Sequence, residues 1–178
     1  MKFYIDMCLD DFVVALLDKE NQLLDYKIIK SLTKKVDDTP FAIKDLLKKY
    51  NLSMNEIESL WINRGPGSFT GSRIAVVFAK TIAQILNTKI YTTTSYKLLQ
   101  KQTNKNPVII KANKFSSYKI FINANDVDME LIKGIEEDKI DYEEIIYNFS
   151  KYTQCFTFES NIEKIDVLYF HEPQIGGK

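Results

Sequence analysis

One segment constrains this chain more than any other: Arg64-Gly65-Pro66-Gly67-Ser68-Phe69-Thr70-Gly71. It follows a short apolar run, Leu60-Trp61-Ile62, and precedes a long helical pattern from about Ser72 to Leu86, after which Ile90 to Thr94 is β-branched. Strand, glycine turn, helix and strand in that order make a candidate parallel crossover unit, so the expected fold is α/β. Glycine lets the backbone take dihedrals and close approaches that other residues resist. The turn also feeds a helix N-terminus, where unpaired amides and the dipole favour an anion. Only two of the basic residues are arginines, Arg64 and Arg73, and they bracket this turn with forks suited to phosphate or carboxylate. The spacing is neither a P-loop nor the dinucleotide G-x-G-x-x-G pattern. Two readings therefore stand side by side. In one, Arg64, Gly65, Gly67, Ser68, Gly71 and Arg73 cradle an anion or nucleotide. In the other, the glycines shape a tight strand-to-helix turn and the arginines pair with local carboxylates.

The helix after the turn carries a second message. From Ile74 to Leu86 only Lys80, Thr81 and Gln84 are polar, and Arg73, Lys80 and Gln84 share one narrow stripe at helical spacing. A helix covered by a sheet needs an apolar arc of roughly 100°, and this one is apolar over most of its circumference. The surplus face must meet either the rest of the chain or a partner.

Around this unit the pattern is orderly. Lys2 to Met7, Phe12 to Leu17 and Leu23 to Leu32 read as a three-strand meander with polar breaks at Asp10-Asp11 and at Asp18 to Asn21. Asp6 closes the first strand, a common place for a ligand-facing carboxylate in α/β folds, while Asp10 and Asp11 read as turn residues. A helix is expected from Thr39 as N-cap and Pro40 at its first position, with Phe41, Ala42, Ile43, Leu46, Leu47 and Tyr50 on one arc and Lys44, Asp45, Lys48 and Lys49 on the other. Asn51 suits the cap that ends it, and Ser53 to Glu56 spells a capping box. A further helix runs from Ser95 to about Gln102. Thr103 to Asn106 followed by Pro107 is the lobe boundary, separating 1–102 from 107–178. Beyond it, Val108 to Lys111 and Lys119 to Ile122 read as strands, Tyr142 to Tyr152 as a helix, and Gln154 to Glu159 and Ile165 to Phe170 as strands. The acidic stretch Glu136 to Glu144 reads as a solvated surface.

Composition excludes several classes. The 178 residues carry 24 basic and 24 acidic side chains, so the formal net charge is zero; autonomous nucleic-acid binding usually shows a basic excess. No purely apolar run, Ile74 to Ala79 included, comes near the roughly 20 residues of a membrane helix, and the start lacks the apolar core of a signal peptide. Cys8 and Cys155 lie in no metal-ligand spacing and read as reduced cytosolic thiols. The single histidine, His171, rules out multi-histidine zinc clusters, and no nucleophile elbow lies near it.

The run WINRGPGSFTGSRIAVVFAKTIA closely resembles the signature region of the bacterial TsaB family, the dimerization subunit of the complex that makes threonylcarbamoyladenosine in tRNA, formerly called glycoprotease-like. The resemblance extends over about residues 1–100, through Ile5-Asp6 and the Leu-Ser-x-x-Glu stretch. It implies an actin-like/RNase H-like ATPase fold with two lobes, the second reduced. It implies a cytoplasmic, non-catalytic scaffold whose first-lobe helices bundle with the catalytic threonylcarbamoyltransferase subunit. The interface residues would be Phe41, Lys44, Leu47, Val77, Lys80 and Gln84, and the same faces would allow a homodimer. It further implies no cofactor on this chain alone, with a nucleotide left open in the complex, contact with the ATPase subunit of that complex, and tRNA reached only through it. The departures are Met7-Cys8 in place of Thr-Ser, Lys111-Ala112-Asn113 in place of Asp-Ala-Arg, and a tail Tyr169 to Pro173 that matches weakly. The alternative is a small phosphotransferase of the same superfamily using Asp6 and the glycine turn. A peptidase, as the older label has it, would need a nucleophile and base that the sequence does not supply.

Overall fold

A computed structural model describes residues 1–30, 35–123 and 126–169, without the side chains of 35–38. The meander is present as β1 (Lys2–Asp6), β2 (Phe12–Leu17) and β3 (Leu23–Ile29), all antiparallel. β4 (Ser59–Asn63) lies parallel to β1, and β5 (Lys89–Thr93) parallel to β4, joined by α2 (Phe69–Leu86). With the two-residue β9 (Thr157–Phe158) antiparallel on β5, the sheet order is β3-β2-β1-β4-β5-β9. The mixed order, with the first strand central, is the actin-like/RNase H-like arrangement.

Sheet register explains why the central strands read as apolar runs rather than alternations, since both faces are covered. Phe3, Ile5, Phe12, Val14, Leu16, Leu60 and Ile62 point to one layer, packed against Ala42, Ile43 and Leu46 of α1 (Lys35–Lys49) and Ala75, Val76, Ala79 and Ala83 of α2. Tyr4, Val13, Ala15, Leu17 and Trp61 point to the other. There they meet α3 (Ser95–Thr103), α4 (Tyr142–Tyr147), α5 (Phe149–Tyr152) and a second, antiparallel sheet of β6 (Val108–Lys111), β7 (Ser116–Ile122) and β8 (Val127–Lys133). Trp61 anchors this layer, stacked on Tyr91 at 4.1 Å and edge-on to Phe149 and Phe156. At the foreseen lobe boundary, Asn104 in the left-handed region ends α3 and Pro107 precedes β6.

Several boundaries differ from expectation, each for a physical reason. α1 starts at Lys35, so Pro40 lies inside it and forfeits one backbone bond. Thr39, expected as its cap, is buried and donates its hydroxyl to Met7 Sδ at 3.3 Å. α2 starts at Phe69, because Ser68 caps it by accepting from the Gly71 amide at 3.2 Å. Tyr142 to Tyr152 splits at Asn148. Within Gln154 to Glu159 only two residues pair as a strand, the rest being a 3-10 turn over Thr153–Cys155 and its exits. Residues 165–169 belong to no strand ladder, and the remainder of that expected strand, with His171 and most of the weakly matching tail, lies outside the described residues. β8 was not foreseen, because its alternation of Asp128 and Glu130 with Met129 and Leu131 is weak.

Candidate functional site

The glycine turn is built against the chain itself. A Cβ on Gly71 would lie 2.9 Å from the Met7 carbonyl carbon, and one on Gly67 2.8 Å from that of Cys8, in each case with the carbonyl oxygen closer still. The close backbone approach that glycine permits is thus spent on the loop leaving β1, not on open space. The Ser68 amide donates to the Cys8 carbonyl, and the Ser72 amide to the Ser68 carbonyl at 3.0 Å. Cys8 Sγ lies 3.1 Å from the Asn63 carbonyl and accepts from Ser72 Oγ at 3.2 Å. Met7 and Cys8, the departures from the family pattern, are therefore packing residues here.

Asp6 is fully buried at the hub of this contact. Its carboxylate accepts from Tyr4 Oη at 3.0 Å, the Cys8 amide at 2.9 Å and Asn63 Nδ2 at 2.8 Å. Asn63 in turn donates to Ser95 Oγ at 2.9 Å and accepts the Gly65 amide at 3.0 Å. The expected ligand-facing carboxylate is instead a crosslink between the ends of β1 and β4, the glycine turn and α3. Burial holds the phenols of Tyr4 and Tyr142 well above the ordinary value near 10, with the charge of Asp6 adding to it in both. The unfolded chain therefore ionises these tyrosines first as pH rises, and the folded chain keeps the protons. The contribution is intact below about pH 10 and is lost above it, at up to about 1.4 kcal/mol per pH unit for each phenol. Urea midpoints measured from pH 8 to 11 are expected to hold to about pH 9.5 and then fall steeply, and Tyr142→Phe should flatten that fall.

Both arginines face the C-terminal segment. Arg64 donates to the Asp166 carbonyl at 3.3 Å, and its own carbonyl accepts from the Leu168 amide at 2.9 Å. Arg73 lies over the Phe69 ring at 4.1 Å and donates Nε to Tyr169 Oη at 3.0 Å. Among the described residues their partners are backbone, hydroxyl and ring, not the local carboxylates of the second sequence reading. Among the described residues no group of three His, Cys, Asp or Glu could hold a metal ion.

The candidate interface residues divide. Phe41 (66% exposed), Val77 (62%), Lys44 and Gln84 are in solvent, and Leu47 is half-buried between α1 and the core. Lys80 is a correction. Its ammonium donates to the carbonyls of Glu163 and Ile165, both at 3.1 Å, so it clamps the chain's own C-terminal segment across α2. Sequence reasoning passed over Ile85, 71% exposed one turn beyond Thr81 and two beyond Val77; its place in the same i, i+4, i+8 row was a readable signal. The second half of the chain covers the opposite face of the main sheet. Among the described residues only the 162–169 segment crosses α2, through Ile162, Ile165 and Val167. By length and composition alone α2 could cross a bilayer; its buried alanines on β1 and β4 show it packed as a core helix with one outer stripe left over.

These features can be set beside known proteins. The TsaD profile, tRNA N6-adenosine threonylcarbamoyltransferase, matches residues 36–111. The TsaB protein of Buchnera aphidicola, named for tRNA threonylcarbamoyladenosine biosynthesis, is 36% identical over 90 residues, which is 47% of this chain and 41% of that one. The chain is similar to TsaB/YeaZ. YeaZ from Pseudomonas aeruginosa superposes with a TM-score of 0.58 at 17% identity, covering 77% of this chain and 71% of that one, which bears out the fold. The uncharacterised MG208 homologue of Mycoplasma pneumoniae is 31% identical over 81 residues, 45% of this chain and 41% of its own length. The matched stretches thus span about two fifths of the length of each of these two curated relatives.

Proposed function

We propose that this chain is a non-catalytic subunit in tRNA threonylcarbamoyladenosine synthesis that binds and supports the catalytic threonylcarbamoyltransferase subunit in the cytoplasm. The observation that carries the reading is the outer face of α1 and α2. Phe41, Val77 and Ile85 stand in solvent there on a TsaB/YeaZ-like core whose described second half, apart from the 162–169 segment, lies on the far side of the sheet. Apolar side chains aligned on neighbouring helices suit a helix-on-helix bundle with a partner. In the absence of that partner the same face would pair two copies of this chain. Any nucleotide, contact with the complex's ATPase subunit, and tRNA would enter only with the assembled complex. A phosphotransferase reading is not favoured: Asp6 and the glycine turn are both committed to internal contacts.

The test is direct. Val77→Asp and Ile85→Asp, each made in the full chain, should leave thermal stability within about 0.5 kcal/mol, because both positions are exposed. Each should weaken binding to the catalytic subunit of the same organism by at least tenfold in a calorimetric titration, about 1.4 kcal/mol or more, since an unpaired charge would be buried. Unchanged affinity in both variants would remove the interface from this face.

A further inference from the structure

On the opposite side of the main sheet from α1 and α2, a cleft of about 580 Å³ opens between the first half of the chain and the 137–143 segment. Its floor is apolar and aromatic: Leu9, Tyr26, Ile28 and Ile140, all attached to the second core layer. Tyr26 meets Tyr147 edge-on at 5.8 Å with their hydroxyls 3.2 Å apart, and Tyr147 stands 61% exposed beside it. The walls are acidic. Of their carboxylates, Asp10 is paired with Lys111 and Asp138 with Lys105. Glu137 and Glu143 are exposed with no ion pair among the described residues, and the Asp141 side chain accepts the Glu144 amide that it caps while its carbonyl accepts from Gln102 Nε2 and the Ile145 amide. Lys30 and Lys139 are the two cations on the lining, against six carboxylates. The reading of 136–144 as plain solvated surface is corrected in part, for Ile140 and Tyr142 in its middle are buried.

We infer that this cleft is a second docking groove, occupied by a segment of a partner protein that alternates arginine or lysine with apolar side chains. The argument is charge and shape complementarity. A phosphate-bearing ligand meets the wrong sign at the walls. A guanidinium can lie on the Tyr26 face while pairing with Glu143 or Glu137, and an apolar neighbour reaches Ile28 and Leu9. A cleft of about 580 Å³ also has room for only a few side chains, which suits a short peptide segment. The groove is on the far side of the sheet from the proposed α1–α2 interface, so both can be filled at once, and failure of one leaves the other standing.

The probe is the acetylated, amidated pentapeptide Arg-Leu-Arg-Phe-Arg, titrated into the full isotope-labelled chain at about 0.1 M salt and followed by amide chemical shifts. Saturable shifts are expected at Tyr26, Ile28 and 139–143, with none from the Glu-Leu-Glu-Phe-Glu counterpart. The double variant Glu137→Lys/Glu143→Lys, checked for an unchanged spectrum elsewhere, should lower affinity at least tenfold. Absence of saturable shifts in the wild-type chain, shifts centred on other surfaces, or binding indifferent to the double reversal would overturn the proposal. Equal binding of spermine would overturn the peptide in favour of a small polycation.

Discussion

Gly71→Ala is expected to unfold much of this protein at temperatures where the wild type is intact. The new methyl would have to occupy the space of the Met7 carbonyl, and what it meets is backbone rather than the far end of a flexible side chain that could yield. Overpacking of this kind costs roughly 1–3 kcal/mol where a core can adjust and more where it cannot. Here the displaced groups are the Met7–Cys8 loop, which also donates the Cys8 amide to Asp6 and accepts the Ser68 amide. A loss of about 4 kcal/mol would lower Tm by roughly 8–16 °C in a chain of this size. Differential scanning calorimetry decides it. A melting point within 2 °C of wild type would mean that the turn stands off the β1 loop and has room for a ligand. Gly134→Ala is the control for glycine loss as such: a Cβ there meets nothing within 4 Å, though its positive φ carries a modest strain.

Asp6→Ala should be the second large loss. It strands the Tyr4 hydroxyl, the Asn63 amide and the Cys8 N–H in the interior, and each buried donor left without a partner costs about 1–3 kcal/mol. Because the three share one acceptor group, the sum is not additive, and about 3–5 kcal/mol is expected. Urea unfolding measures it directly. The same experiment separates two roles for this carboxylate. A residue held out for a metal or nucleotide would lose ligand binding while keeping, or gaining, stability when removed; a crosslink loses stability with no ligand present. Asn63→Ala should reproduce a smaller part of the loss, and the double variant should cost less than the two singles together.

Much of this architecture was legible from the residues. The apolar run Phe12 to Leu17 announces a strand buried on both faces, and Leu60-Trp61-Ile62 followed by the glycine turn and a long helix announces the parallel unit, because each period is imposed locally. The excess of apolar positions on α2 also announced a surplus face that either the rest of the chain or a partner must meet, and Val77 and Ile85 lie in solvent there. What one residue does to another far along the chain was not legible. Lys80 looks like a surface lysine until the 162–169 segment places two carbonyls on its ammonium. The glycines suggest a ligand cradle until β1 delivers Met7 and Cys8 against them.

The division has a physical cause. Backbone preference and hydrophobic period act over a few neighbouring residues, so the amino-acid order alone determined the strands of the meander, the crossover unit and the surplus apolar face of α2. Hydrogen bonding and close packing join residues 50 to 100 positions apart, as in Asp6 with Asn63 and Arg73 with Tyr169. Only the folded chain decided that the conspicuous turn is filled by its own backbone, and that the open surfaces are the outer helices and the acidic cleft behind the sheet.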